Sequence, residues 1–294
     1  MKGKYNKQKT YLRMKKIFAL VAAVMVTAST WAYEFPGFEW TVGADVTSAY
    51  LWRGLNLGGL AIQPDVMVGY GGLKLEGWAN ISPKDYTFKE FNPELDVTLS
   101  YSIVGFTVGA THYYYFDGTK YFDYSTPSLA DYKNGDYATN QTEVFAKFEL
   151  GELVEKVPLT VLWATTVGGD DWMELYEDEA DPDKLTGIKR AYSSYLEVSF
   201  DANLPLGFTL TPAVGMTPWS GMYTYYNDYG FAVNNVSLKL NWEWEIGEHF
   251  ALDVYAMGML NTCGIDKTNI VPEVKNSYYN QRLNGCIGAG IWFY

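Results

Sequence analysis

The sequence predicts an all-β fold, a transmembrane antiparallel up-and-down β-barrel of about twelve strands. Apolar and polar residues alternate with period 2 along about twelve segments, as in strands that face lipid on one side and a lumen on the other. The connections between these segments alternate between tight and long, and the last segment ends in Trp292, Phe293 and Tyr294. An aromatic content of 17% agrees with a barrel.

The first 32 residues have the pattern of a secretory signal peptide. A basic run precedes an apolar stretch at 17–26 and small residues that end at Ala32, where we expect cleavage, and Met14 is an alternative start. The apolar stretch is too short for a spanning helix, so residues 33–294 are predicted to form a single outer-membrane barrel domain. Cleavage removes seven of the 22 Lys and Arg residues and none of the 34 Asp and Glu residues, which leaves 15 minus 34, a net charge of −19. This acidic balance disfavours nucleic-acid binding.

The first three predicted strands occupy residues 40–53, 60–70 and 73–81. The apolar face of the first carries Trp40 at one end and Tyr50 with Trp52 at the other, separated by about ten residues, which is the length of strand that crosses a bilayer. We therefore expect these aromatic side chains at the two membrane interfaces, with Tyr114 from a later strand joining Tyr50 and Trp52 at the outer one.

The same region resembles a known family. The segments that carry the resemblance are Ser48-Ala49-Tyr50-Leu51-Trp52-Arg53-Gly54, Gln63-Pro64-Asp65 and Leu75-Glu76-Gly77-Trp78-Ala79-Asn80. They resemble the opening of the TorF-like porin family of bacterial outer-membrane proteins. The resemblance implies a channel-forming barrel without catalytic residues, and it does not identify a substrate.

Nine further segments continue the alternation, at 94–103, 106–116, 141–150, 157–167, 192–201, 208–217, 236–246, 250–260 and 282–294. Connections after Tyr70, Val104, Leu204 and Ile246 are tight, whereas those after Asn80, Phe116, Val167, Pro218 and Asn261 are long. A soluble β-sandwich would share the alternation within strands. It would not predict that short and long connections alternate, whereas a barrel with both termini on the periplasmic side does.

The faces opposite the apolar ones give the predicted lining of a lumen. Its candidate residues are Asp45, Arg53, Asp65, Lys74, Glu76, Trp78, Asp96, Tyr113, Tyr115, Glu143, Lys147, Tyr195, Glu197, Lys239, Asp253, Tyr255 and Arg282. Twelve strands leave a narrow lumen, and carboxylates predominate in the lining, which favours cations. The aromatic members either fill the lumen or offer flat surfaces to a sugar or nucleoside.

The sequence therefore predicts an outer-membrane porin-like channel for passive diffusion of small hydrophilic solutes, narrow and cation-preferring, without a cofactor. Its other expected partners are outer-membrane lipid and the barrel-assembly machinery, which would recognise the aromatic C-terminal strand.

Two alternatives of different classes stay open at this point. The first is a receptor or adhesin that binds a partner through Tyr-rich loops, with Tyr121, Tyr124, Tyr132, Tyr137, Tyr223, Tyr225, Tyr226 and Tyr229. The second is a barrel enzyme that acts on lipid. It would need His112 on the lipid-facing row. Register counting places His112 opposite about Val97 on one side, with Asn140 and Thr142 as the nearest polar candidates on the other, and it finds no serine for a nucleophile pair. We predict no catalytic residue.

The sequence also offers no dedicated metal site. Neither His112 nor His249 has a His or Cys at metal-ligand spacing. An acidic loop at 168–189 lacks the spacing of a calcium loop. The loop is either solvated, or it binds divalent cations that bridge its carboxylates to lipopolysaccharide phosphates.

The two cysteines, Cys263 and Cys286, belong to an oxidising compartment and form a possible disulfide. If Tyr294 lies level with His249, Cys286 falls opposite Met257. That register is too far from Cys263 for a bond within the strand ladder, so a disulfide requires the loop after Asn261 to fold into the barrel.

Overall fold

The computed structural model describes residues 37–83, 91–116, 119–154, 157–177, 184–224, 230–263 and 282–294. Its strands are β1 (Phe38–Thr47), β2 (Tyr50–Trp52), β3 (Leu55–Gly58), β4 (Ala61–Tyr70), β5 (Leu73–Pro83), β6 (Phe91–Ile103), β7 (Phe106–Tyr114), β8 (Gln141–Glu149), β9 (Leu159–Gly169), β10 (Trp172–Tyr176), β11 (Leu185–Arg190), β12 (Ser194–Phe200), β13 (Ala202–Asn203), β14 (Phe208–Thr217), β15 (Ala232–Glu245), β16 (Phe250–Leu260) and β17 (Leu283–Phe293). Among the described residues there is one α-helix, α1 (Leu129–Asn134), which is capped by Ser128 and Gly135, and three short 3-10 helices at Leu150–Glu152, Pro205–Gly207 and Met222–Thr224.

Twelve of these strands form one closed antiparallel barrel, which confirms the predicted fold class. They are all the strands except β2, β3, β10, β11 and β13. The wall runs in chain order from β1 to β17, and β1 then pairs with β17, where Val42 lies opposite Phe293. The two-residue β13 continues the path of β12 beside β14.

The two faces of the wall differ as the period-2 pattern requires. The outward face carries exposed apolar side chains such as Leu73, Leu99 and Ile287. The inward face buries polar ones such as Asn80 and Glu94. Among the described residues, no helix is long and apolar enough to cross a membrane.

One end of the barrel, here called the tight-turn end, has short connections. Gly71 and Gly72 join β4 to β5, and Val104 and Gly105 join β6 to β7. All four have positive φ angles, between 44° and 89°. Positive φ at both central residues is what a type I′ hairpin turn needs. His249 and Tyr294 lie at the same end, where Nδ1 of His249 is 3.1 Å from the Tyr294 carbonyl oxygen.

The opposite end carries hairpins that the sequence analysis did not predict. The prediction of an acidic loop at 168–189 is wrong for the described residues of that segment, because β10 and β11 pair there as a hairpin. The guanidinium of Arg190 stacks on Trp172 at 4.4 Å and donates to the Gly169 carbonyl oxygen at 2.8 Å, which fixes the base of this hairpin. β2 and β3 form a second hairpin.

The predicted outer girdle is also wrong. β1 ends at Thr47 instead of continuing to Arg53, and the hydroxyl of Thr47 donates to the Ala49 carbonyl oxygen at 2.9 Å, where the chain leaves the wall. Tyr50 is buried instead of facing lipid. The alternation of apolar and polar residues continues past Thr47 in the sequence. The residues that continue it belong to β2, which is not part of the barrel wall.

Candidate functional site

The hairpin of β2 and β3 lies inside the barrel. We call residues 48–59 the inner hairpin. The ring of Tyr50 packs on Trp78 of β5 with a centroid distance of 5.4 Å, and the ring of Trp52 packs on Tyr113 of β7 at 5.9 Å. On β17, which is five strands around the wall from β7, the Asn284 side-chain oxygen accepts a hydrogen bond from the side-chain amide of Asn56 at 3.0 Å. The inner hairpin therefore spans the lumen from one wall to the other.

Arg53 anchors the tip of the inner hairpin. Its guanidinium forms a two-pronged ion pair with the Glu143 carboxylate of β8, in which Nη2 is 2.8 Å from Oε1 and Nη1 contacts Oε2. Nη1 also donates to the Tyr223 hydroxyl at 2.8 Å. The guanidinium lies 4.7 Å from the ring of Trp52 and 5.1 Å from the ring of Tyr195. Because the Glu143 side chain is only 2% exposed, this pair is held away from water.

The backbone of the tip is held as well. The side-chain amide of Asn234 donates to the Arg53 carbonyl oxygen at 3.0 Å, and the side-chain amide of Asn261 donates to the Gly54 carbonyl oxygen at 2.8 Å. Arg53 and Gly54 have φ angles of 48° and 89°. A Cβ at position 54 would lie 2.7 Å from the Asn234 carbonyl oxygen, so the approach of the tip to β15 requires glycine.

Tyr223 completes the anchor, and its predicted position was wrong. It was expected in an exposed recognition loop, but it is fully buried between Arg53 and Tyr195. Burial raises the pKa of the Tyr223 hydroxyl even though Arg53 opposes the shift. The hydroxyl therefore stays neutral and accepts the Arg53 hydrogen bond. The long-range partners of a single loop tyrosine carry no local sequence signal.

An interior cavity of about 420 Å³ lies against the inner hairpin. One row of side chains on the barrel wall leads into its lining, which includes Trp78, Asp96 and Tyr113. Asp65 of β4 lies opposite Trp78 of β5, Trp78 lies opposite Asp96 of β6, and Asp96 lies opposite Tyr113 of β7. Asp96 is only 9% exposed. Its Oδ1 has no hydrogen-bond partner among the described residues, and neither has Oδ1 of Asp45, which also lines the cavity.

The remaining predicted lumen residues fall into four environments. Lys74 pairs with Glu39 at 3.1 Å and Lys147 pairs with Glu149 at 2.9 Å, both in half-exposed positions. Others contact each other inside the barrel: Tyr195 donates to Glu197, Tyr113 donates to Glu143, Trp292 donates to Asp253, and the Lys239 ammonium lies 4.6 Å from the Tyr255 ring. Glu76 lines the cavity. Tyr115 follows the end of β7, and Arg282 is exposed just before β17.

His112 belongs to a separate cluster on β7 and β8. The register places it opposite Val97, as counting predicted, and, of the two polar candidates Asn140 and Thr142, opposite Thr142. Its Nδ1 is 2.9 Å from the Thr142 hydroxyl oxygen, and its Nε2 is 2.5 Å from the Tyr121 carbonyl oxygen. Tyr121, Phe122 and Tyr124 pack around the ring. Both ring nitrogens of His112 are thus occupied by wall and loop groups.

The Tyr-rich loops and the acidic segment are only partly described. Tyr121 and Tyr124 pack on His112, and Tyr132 stacks on Tyr137 at 5.4 Å. Tyr225, Tyr226 and Tyr229 lie outside the described residues, as do Asp178, Glu179, Asp181 and Asp183. Asp171, expected in a solvated loop, is fully buried and accepts hydrogen bonds from the backbone and hydroxyl of Ser193.

Cys263 and Cys286 are both buried free thiols in the structure. Cys286 lies opposite Met257, as register counting predicted. Residues 264–281, which connect Cys263 to β17, lie outside the described residues.

Comparison with solved structures finds other barrels. The NanC porin has 11% identity and a TM-score of 0.43 over 87% of this chain and 100% of that one. An outer membrane channel from Pseudomonas putida F1 has 10% identity and a TM-score of 0.42 over 88% of this chain and 96% of that one. An anion-selective porin from Comamonas acidovorans has 10% identity and a TM-score of 0.33 over 87% and 98%. No family model and no curated protein matches the chain, so the TorF-like resemblance stays a prediction.

Proposed function

We propose that the chain is a porin-like outer-membrane channel for passive diffusion of small hydrophilic solutes, narrow and cation-preferring. The observation that carries the proposal is the inner hairpin, which spans the polar lumen of a closed barrel and is held there by Arg53 and Glu143. A solute that crosses the barrel has to pass this hairpin. The rate of passage is therefore set by the space beside it and by the charges that face that space.

The narrowness follows from the strand number and from the filling of the lumen. Eight strands leave an interior that side chains fill, whereas sixteen leave a wide aqueous channel. A twelve-stranded barrel lies between these limits, and the inner hairpin adds Tyr50, Trp52 and Leu55 to the space enclosed by the wall. We expect a small single-channel conductance.

The cation preference follows from how the described charges pair. Arg53, Lys74 and Lys147 each have a carboxylate partner. The cavity lining then contains the carboxylates of Asp45, Glu76 and Asp96 against the ammonium of Lys239. The excess of negative charge at a constriction attracts cations and repels anions.

The proposal includes the location of the protein. Residues 1–32 would direct secretion and be removed, the exposed apolar outer face of the wall would contact outer-membrane lipid, and β17 with its aromatic end would be read by the barrel-assembly machinery. It assigns no catalytic role to His112, whose ring nitrogens contact Thr142 and the Tyr121 backbone.

Planar-bilayer recording of the refolded full chain tests the proposal. In a tenfold potassium chloride gradient at neutral pH, we expect small conductance steps and a reversal potential with the sign of a cation-selective pore. A reversal potential of the opposite sign contradicts the electrostatic part. Correctly folded protein that carries no current contradicts the channel itself and favours the receptor alternative.

A further inference from the structure

The cavity beside the inner hairpin has the composition of a ligand site. Asp96 lines it, with Trp78 directly opposite on β5 and Tyr113 directly opposite on β7. The inner hairpin places Tyr50 against Trp78 and Trp52 against Tyr113. All five side chains line the cavity. One carboxylate is therefore flanked on both sides by a pair of aromatic rings.

Among the described residues, this carboxylate forms no ion pair. Asp96 is 9% exposed, and its Oδ1 has no hydrogen-bond partner among the described residues. A buried carboxylate is costly unless a hydrogen bond or a cation compensates it. Asp45 and Glu76 in the same lining add negative charge, and the lining cation Lys239 is placed over the Tyr255 ring. The cavity is thus arranged to accept a positive charge from outside the chain.

The rings indicate which kind of cation fits. A divalent metal ion prefers six or more oxygen ligands, whereas an organic ammonium group is stabilised by the faces of Trp and Tyr rings together with a carboxylate. Lys239 over Tyr255 shows the same contact made by the chain itself. We propose that the cavity around Asp96 is a binding site for a small organic ammonium ion, which is a solute selected by the channel.

This inference rests on the proposed channel function, but binding is measured without current. Titration calorimetry of the folded full chain in detergent micelles uses choline as the probe. Its neutral isostere 3,3-dimethyl-1-butanol has the same shape without the charge. We expect choline to bind at least about tenfold more tightly than the isostere, since the contacts of the ammonium with the rings and with Asp96 depend on charge.

Three variants localise the binding. Asp96→Asn keeps the shape of the side chain and removes its charge, and Trp78→Leu removes a ring face. Each should weaken choline binding at least about tenfold. Glu243→Gln is the matched control, because it removes one inward carboxylate from an exposed position on β15 outside the cavity lining. We expect it to change the affinity by less than about twofold.

The site would be overturned by no choline binding to folded protein, by equal affinity for the isostere or by unchanged affinity in Asp96→Asn. An equal loss in Glu243→Gln would overturn it as well, because it would indicate only the overall negative field. Tighter binding of glucose than of choline would also overturn it, in favour of a sugar platform. Choline binding without any current in bilayers would contradict the proposed channel function and support the ammonium site. Current without choline binding would support the channel function and contradict the ammonium site.

Discussion

Two turns in this molecule have similar φ angles but lie in different parts of the barrel. Val104 and Gly105 have φ angles of 44° and 74°, and Arg53 and Gly54 have φ angles of 48° and 89°. The first pair joins β6 to β7 at the edge of the wall, where Val104 is 68% exposed. The second pair forms the tip of the inner hairpin in the lumen. Turn chemistry therefore specifies that a hairpin forms, but it does not specify where the hairpin goes.

The partners of the two turns account for the difference. Gly105 accepts a hydrogen bond from the backbone of Glu149 in an adjacent part of the wall. Arg53 instead contacts Glu143, 90 residues away, and Tyr223, 170 residues away. Arg53 places a charge on a turn whose φ angles would also allow it to join two strands of the barrel wall. That charge is satisfied by a carboxylate on the far side of the lumen.

The largest effect in this comparison should come from Glu143→Gln. The substitution leaves the Arg53 guanidinium buried without its carboxylate, which typically costs about 3–5 kcal/mol. Equilibrium unfolding in guanidinium chloride with lipid vesicles measures the loss. The double variant Arg53→Met with Glu143→Gln removes both charges and should be less destabilised than Glu143→Gln alone. A double variant that is destabilised by the sum of its two single substitutions would contradict a coupled pair.

The contrast between the two turns also explains which features of the fold can be predicted from the sequence and which cannot. Period-2 alternation and tight turns such as Gly71-Gly72 are local signals, so the strand number, the connections at the tight-turn end and the pairing of Met257 with Cys286 followed from counting. The same alternation assigned Tyr50 to the lipid face, because an aromatic residue at a strand end resembles a girdle residue until its ring partner is known. Trp78 is that partner, and only the closed barrel brings it near.

An intermediate loss of stability should come from replacing glycines that have positive φ angles, and its size should differ between two of them. Gly54→Ala and Gly71→Ala both place an L residue in a strained conformation, at a cost of about 1–2 kcal/mol. Gly71 has open space around a new Cβ, whereas at Gly54 the Cβ would lie 2.7 Å from the Asn234 carbonyl oxygen. We expect Gly54→Ala to be the more destabilising and also to raise the conductance, because the tip moves off β15. Equal unfolding free energies and unchanged conductance would indicate that the tip does not contact β15 as described.

The smallest effect should come from Lys147→Ala. Its ion pair with Glu149 is 2.9 Å long, but the two side chains are 36% and 40% exposed, so water competes for both charges. Exposed pairs contribute about 0–1 kcal/mol. The same unfolding assay should register a loss in that range. A loss as large as that of Glu143→Gln would mean that burial does not set the strength of these pairs.

The most direct measurement is single-channel conductance of three proteins: the natural chain, Glu143→Gln, and the double variant Arg53→Met with Glu143→Gln. Because an unpaired Arg53 is better solvated away from its buried position, Glu143→Gln should release the inner hairpin and raise the conductance. The double variant has no buried charge to release, so its conductance should stay close to that of the natural chain. Equal conductance in all three, with Glu143→Gln shown to be folded, would contradict the claim that the Arg53–Glu143 pair holds the inner hairpin across the lumen.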